Sequence, residues 1–214
     1  SIYVAYQVKK GSSMITEDIS VMIWTTTPWT LPGSRAIAYG ENIQYVLIEI
    51  LKSKTFESEK HKLIVAEAQL DSIKDFCKIE KCNILKKLEG KDLQNIICKH
   101  PLSEKGYEYD IPLLKANFVE DNEGTGFVHT APCYGEDDYY LALENNILVE
   151  DIVEDDGCYK KTTPIFAGMH VFKAHNPVID ELKLSKRLIG IREYTHSYPH
   201  SWRSKKPIIF RTTP

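Results

Sequence analysis

Apolar residues along the chain fall in short runs rich in β-branched and aromatic side chains, each closed by turn formers. That pattern predicts strands rather than long helices. It covers "SIYVAYQV" (1–8), "VMIWTTT" (21–27), "YVLIEIL" (45–51), "KLIVA" (62–66), "LLKANFV" (113–119), "GTGFVHTA" (124–131), "MHVFKA" (169–174) and "PIIFRTT" (207–213). Helical spacing is confined to three segments. "AEAQLDSIKDFCKI" (66–79) places Leu70, Ile73 and Phe76 on one side. "EDDYYLALENN" (136–146) opens with acids, which suit the partial positive charge of a helix N-terminus. "NPVIDELKLSKRL" (176–188) offers Asn176 as a cap and Pro177 at the first helical position. "HPLSEKG" (100–106) and "VEDNEGTG" (119–126) read as turns.

Because the helices fall between groups of strands instead of after every strand, the pattern predicts an α+β fold, not a doubly wound one. The expected core is a curved or closed β-barrel with a few peripheral helices. No shift in composition breaks the chain, so residues 1–214 are expected to form a single domain. "TTP" occurs at 26–28 and again at 212–214, but the flanks differ too much for a repeat.

Composition narrows the class. With 214 residues, 43% apolar and 27% charged, the chain is an ordinary globular sequence with enough material for a core. No apolar run approaches the ~18 residues of a membrane-spanning helix, and no signal peptide opens the chain. It starts without Met in strand-like sequence and stops in mid-pattern, as expected of a piece of a longer protein. The five cysteines lack paired spacing, which fits a reducing, cytoplasmic setting. Net charge is −3, against a dedicated nucleic-acid binder. Yet acids dominate residues 136–156, and Lys183, Lys186, Arg187, Arg192, Arg203, Lys205, Lys206 and Arg211 make the C-terminal part basic. One region can meet phosphates while another holds a cation, or both are solvated surface.

Two stretches concentrate polar chemistry. "WTTTPWTLPG" (24–33) sets three threonines between two tryptophans, where a buried strand would carry Val and Ile. "GTGFVHTAPCYGEDDYYLA" (124–142) reads as strand, turn and helix start, so His129 at the strand end and an Asp of the acidic triplet can face one cavity. By spacing alone, the plainer reading prevails: His129 is a hydrogen-bonded core histidine and the acids are helix caps. Other constellations are weaker. His129 with Cys133 would make a thiol nucleophile and base only in a shared pocket with a lowered thiol pKa. His196 and His200 have zinc-finger spacing without a cysteine pair, so no metal is expected. "KLSKR" (183–187) is similar to a nucleotide-binding lysine loop but lies in a predicted helix, and no phosphate-binding glycine loop is present.

"WTTTPWTLPGSRAIAYG", "GTGFVHTAPCYGEDDY" and "HSYPHSWRSKKPIIFRTTP", in that order, resemble the editing domain of isoleucyl-tRNA synthetase, a proofreading module inserted in a class I catalytic domain. The likeness spans the chain and is least diagnostic between residues 52 and 110. Leucyl- and valyl-tRNA synthetases are similar but differ at the threonine stretch. The resemblance implies that Thr25, Thr26 and Thr27 border the hydrolytic pocket, with Trp24 and Trp29 beside the substrate. It implies that His129 limits pocket size and that Asp138 holds the aminoacyl ammonium. The implied substrate is valine misattached to isoleucine tRNA, or valyl-adenylate; the implied partners are that tRNA and the rest of the synthetase. No cofactor is implied here, ATP serving the separate catalytic domain. Cys133 and Tyr134 depart from the usual loop residues. Ser201 and Ser204 stand where some relatives have Cys-x-x-Cys, so no structural zinc is expected.

The implied chemistry agrees with the residue types. Burying one methylene separates isoleucine from valine by only ~1–3 kcal/mol, a limit for which this enzyme family is the standard illustration. A second, hydrolytic site must therefore reject the larger side chain by shape. The ester is already activated, so a placed water, a polarised carbonyl and a fixed ammonium suffice. Hydroxyls position water, and a carboxylate at a helix N-terminus is expected to stay ionised.

Overall fold

The computed structural model describes residues 1–55, 61–192, 202–203, 205 and 208–212. Its strands are β1 (Ile2–Lys10), β2 (Ile19–Thr25), β3 (Ala36–Tyr39), β4 (Gln44–Ser53) and β5 (His61–Ala66). Helix α1 (Leu70–Phe76) follows, then β6 (Ile79–Glu89), β7 (Ile97–Lys99), β8 (Asp110–Lys115) and β9 (Phe127–Thr130). The chain continues through α2 (Glu136–Glu144), α3 (His175–Leu184) and β10 (Leu188–Ile191). All strands join one sheet in the order β6-β4-β5-β2-β1-β7-β8-β3-β9, with β10 added to β1. Among the described residues only the β2–β5 and β3–β8 pairs are parallel. The expected strand-rich α+β architecture is present. The pairings run open from β6 to β9 among the described residues, so the expected closure into a barrel is not seen.

β1 organises the sheet. Ile2 to Gln7 pair with β2, while Val8 and Lys10 pair with β7, so the strand carries the sheet around a bend. Its run "IYVAYQV" lacks polar alternation because both faces are covered. Ile2, Val4, Tyr6 and Val8 enter the larger core, whereas Tyr3 and Ala5 enter a smaller one with Met22, Val46, Leu63 and Val65. Helix α1 closes the smaller core with Leu70 and Ile73, as its spacing predicted.

Several elements differ from expectation. "MHVFKA" is a 3-10 turn, Val171–Lys173, because His170 Nδ1 accepts the Phe172 N–H and curls the chain. α3 begins at His175, which makes Asn176 an interior first-turn residue instead of a cap and shifts Pro177 inward. The same helix stops at Leu184, and Lys186 takes a positive φ of 56°. "KLSKR" therefore straddles the helix end. The residues after it become β10, because the free edge of β1 can accept them; the Ala5 N–H donates to the Arg187 carbonyl. β6 escaped detection since it pairs with β4 and leaves most side chains exposed, Ile84 and Leu85 included. Within "PIIFRTT", residues 208–212 are not a strand; the Thr212 N–H donates to the Cys133 carbonyl. His196, His200, Ser201 and Ser204 lie outside the described residues.

Candidate active site

The threonine stretch is where β2 ends. Thr25 is the last strand residue, paired with Ile2, and Pro28–Gly33 follow as a 3-10 turn opened by the fixed φ of Pro28. The hydroxyls stitch this corner. Thr25 Oγ1 accepts the Thr27 N–H at 3.0 Å, and Thr26 and Thr27 hydroxyls lie 3.4 Å apart. Thr30 Oγ1 donates to the Thr27 carbonyl at 2.9 Å. Beneath the turn, His100 accepts the Leu102 N–H through Nδ1, so its Nε2–H donates to the Leu31 carbonyl at 2.9 Å. Burial pushes that histidine down to about 3, which keeps it a neutral fastener.

β9 brings the second motif alongside. It pairs antiparallel with β3, His129 opposite Ile37, and packs against β2. The His129 ring nitrogens are both engaged: Nε2 lies 2.9 Å from Thr30 Oγ1 and Nδ1 lies 3.3 Å from Ser34 Oγ. Burial lowers its pKa to about 4. Gly124 and Gly126, at φ 69° and 75°, let the preceding loop approach closely. A Cβ at Gly126 would come within 2.5 Å of Ala66, whereas Gly124 has room beside the Trp24 indole and is required by its positive φ alone.

A cleft of about 480 Å³ opens between these elements, in the size range of small-molecule sites. Trp24, Thr25, Thr26 and His129 line it together with Phe118, Glu120, Glu123 and Phe127. Thus the two sequence motifs meet in one cavity. The remaining expected residues stand outside its lining. Thr27 is spent on backbone bonds of the corner. Trp29 is buried edge-on against Tyr134, 5.1 Å between rings, with its indole nitrogen unpartnered. It fills the core because the turn directs it inward.

Asp138 sits at the third position of α2, and its Oδ2 accepts the Ala131 N–H at 2.8 Å. This ties the helix start to the end of β9, two residues beyond His129. Gly135 makes room for it: a Cβ there would lie 3.1 Å from the carboxyl. Burial raises Asp138 to about 6, with the Ala131 bond opposing and the Asp137 charge adding to the rise. Burial thus outweighs the helix terminus that was expected to keep it low. At neutral pH the anion still predominates.

A second cleft, of about 590 Å³, lies between Cys133–Tyr140 and residues 210–212. Cys133 is no nucleophile: burial, then the nearby Asp151 carboxylate, push its thiol up to about 11, and His129 has no nitrogen to spare for it. Among the described residues no group of three or more His, Cys, Asp or Glu is placed to hold a metal ion. Sequence reading missed Thr30, Ser34 and the acidic loop at Glu120–Glu123. Thr30 lies in the quoted hydroxyl cluster and was open to discovery; the others carry no local signal.

The architecture is similar to that of GlLeuRS-CP1, whose crystal structure superposes with a TM-score of 0.65 at 14% identity, over 90% of this chain and 100% of that one. The editing domain of the P. falciparum cytosolic leucyl-tRNA synthetase matches with a TM-score of 0.57 at 12% identity, over 81% of this chain and 80% of that one. The fold is that of a class I aminoacyl-tRNA synthetase editing domain. By sequence, the chain corresponds along its whole length to a segment of isoleucine–tRNA ligases. It is 47% identical over 214 residues to the isoleucine–tRNA ligase of Pelagibacter ubique (strain HTCC1062), covering 100% of this chain. It is 42% identical to that of Gluconobacter oxydans (strain 621H), again over 100% of this chain. The chain spans about a quarter of these relatives, 23% and 24% of their lengths. No family model matches it.

Proposed function

We propose that residues 1–214 are one proofreading unit that hydrolyses the ester of valine misattached to isoleucine tRNA, and secondarily valyl-adenylate. The observation that carries this reading is the meeting of Thr25 and Thr26 with His129 on one 480 Å³ cleft. Thr26 is the hydroxyl best placed to orient a water, since Thr25 accepts a backbone N–H of its own corner. His129 forms the side-chain wall, held by Thr30 and Ser34. Asp138 pairs with the ammonium, anchored at the same strand end through Ala131. Trp24 borders the aminoacyl group, and Trp29 supports the turn. The reaction draws on ester activation and needs neither metal nor cofactor; ATP belongs to another part of the ligase, with which this unit works in the cytoplasm.

Adding valyl-tRNA to the chain and following ester loss tests the reading directly. Hydrolysis that spares isoleucyl-tRNA supports it. A chain that binds the tRNA without releasing valine is instead a tRNA-binding module. With a net charge of −3, the chain alone should bind tRNA weakly and in a salt-sensitive way.

A further inference from the structure

One direction of the hydrogen bonds around His129 gives every proton an acceptor, whereas the reverse leaves a proton of buried Ser34 or Tyr6 without one among the described residues. Thr30 has a single hydroxyl proton, and it goes to the Thr27 carbonyl at 2.9 Å. Thr30 Oγ1 can then only accept from His129, 2.9 Å away, so the imidazole proton is on Nε2. Nδ1 is left as an acceptor, and Ser34 Oγ, 3.3 Å from it, is its donor. Ser34 in turn accepts from the Tyr6 hydroxyl at 3.1 Å. Tyr6 and Ser34 are fully buried, and Tyr6 comes from β1, which β7 and β8 separate from β3, the partner of β9, in the sheet order.

We infer that Ser34 and Thr30 are positioning residues that lock His129 as the neutral Nε2–H tautomer, so that it meets the cleft as a saturated wall with no proton to give or take. The relay runs Tyr6 O–H to Ser34 O–H to His129, and onward from His129 to Thr30 to the Thr27 carbonyl. It fixes the ring to the corner that carries the threonines, so wall and hydroxyls move as one body. Burial, which lowers His129 to about 4, acts in the same sense. A rigid wall is what exclusion by one methylene requires. That last consequence rests on the proposed editing reaction; the tautomer does not.

The test is the long-range 15N–1H spectrum of the histidine-labelled chain at neutral pH, with His129 assigned by its loss in His129→Gln. The expected result is a single Nε2–H pattern. In Ser34→Ala, Nδ1 loses the donor that holds it as an acceptor, and the two ring-nitrogen shifts should move toward each other. Thr30→Val, which removes the Nε2–H acceptor and keeps the shape, should move them further. An Nδ1–H or averaged pattern in the unaltered chain overturns the proposal, whether or not either variant folds. So does a folded Ser34→Ala or Thr30→Val with unmoved His129 shifts. If the chain hydrolyses valyl-tRNA, Ser34→Ala should also narrow the preference for valyl over isoleucyl ester by up to about tenfold, the lesser range of what sub-ångström misplacement costs. Absent hydrolysis removes the editing reading and leaves the spectrum to decide the relay.

Discussion

His129 and Asp138 stand nine positions apart at the two sides of one turn, and burial drives both toward neutrality by opposite routes. The histidine falls to about 4 and the carboxylate rises to about 6. They end differently. His129 has a partner at each ring nitrogen and is neutral throughout the physiological range. Asp138 is tied through one oxygen to Ala131 and stays poised to titrate just below neutrality. The contrast separates the two tasks of the proposed site: a wall must be fixed and uncharged, whereas an anchor for an ammonium must keep an accessible charge.

The largest expected effect comes from removing that charge. Asp138→Asn keeps an acceptor for Ala131 but loses the anion, and deacylation of valyl-tRNA should fall by ~2 kcal/mol of transition-state binding or more, roughly 30-fold. A wild-type rate in this variant ends the anchoring role. On the other side of the comparison, His129→Ala should alter selectivity before rate. Truncating the wall removes an overpacking cost of ~1–3 kcal/mol on isoleucine, so isoleucyl-tRNA becomes a substrate. Should both activities vanish together with a collapse in Tm, His129 is a core histidine and nothing more.

The opposed shifts also make a prediction for stability. His129, depressed in the folded state, stabilises above its unfolded value of 6.5, and that contribution is lost as pH falls to about 4. Asp138, raised in the folded state, favours folding below its unfolded value of 3.8, and that contribution is lost as pH rises to about 6. Between pH 4 and 6 the two nearly offset each other. Asp138→Asn should therefore expose a rise in Tm with pH, and His129→Gln a fall, each by several degrees over that window. Parallel profiles in the two variants would refute the opposition. The smallest effect belongs to Cys133, whose thiol takes no part. Cys133→Ala should leave valyl-tRNA hydrolysis unchanged and cost about 1 kcal/mol in stability, measured by denaturant midpoint. Lost activity in a folded Cys133→Ala chain would restore the thiol mechanism.

Much of this was legible along the chain because it is local. β-Branched runs mark β1, β2, β4, β5 and β9, and the acid-led segment marks α2, since strand and helix periods are written in nearby residues. The threonine stretch and the segment 124–142 stood out because their polar composition contradicts burial in a strand. The edge strand β6 and the added strand β10 were not legible: one has no buried face to alternate with, and the other exists only because β1 offers an edge. The 3-10 turn after His170 depends on one side-chain bond that no pattern encodes.

By itself the sequence determined which residues could do chemistry and in what kind of element each would sit. Tertiary structure alone decided which of them meet. The pairing of His129 with Ile37 sets the ring beside Thr30, 99 positions away in the chain, and brings Ser34, itself bonded by Tyr6, to its other nitrogen. It also left Trp29 in the core and Asp138 outside the cleft lining. Their charge states followed from the same packing, because desolvation depends on what surrounds a group in space and not on its neighbours in sequence.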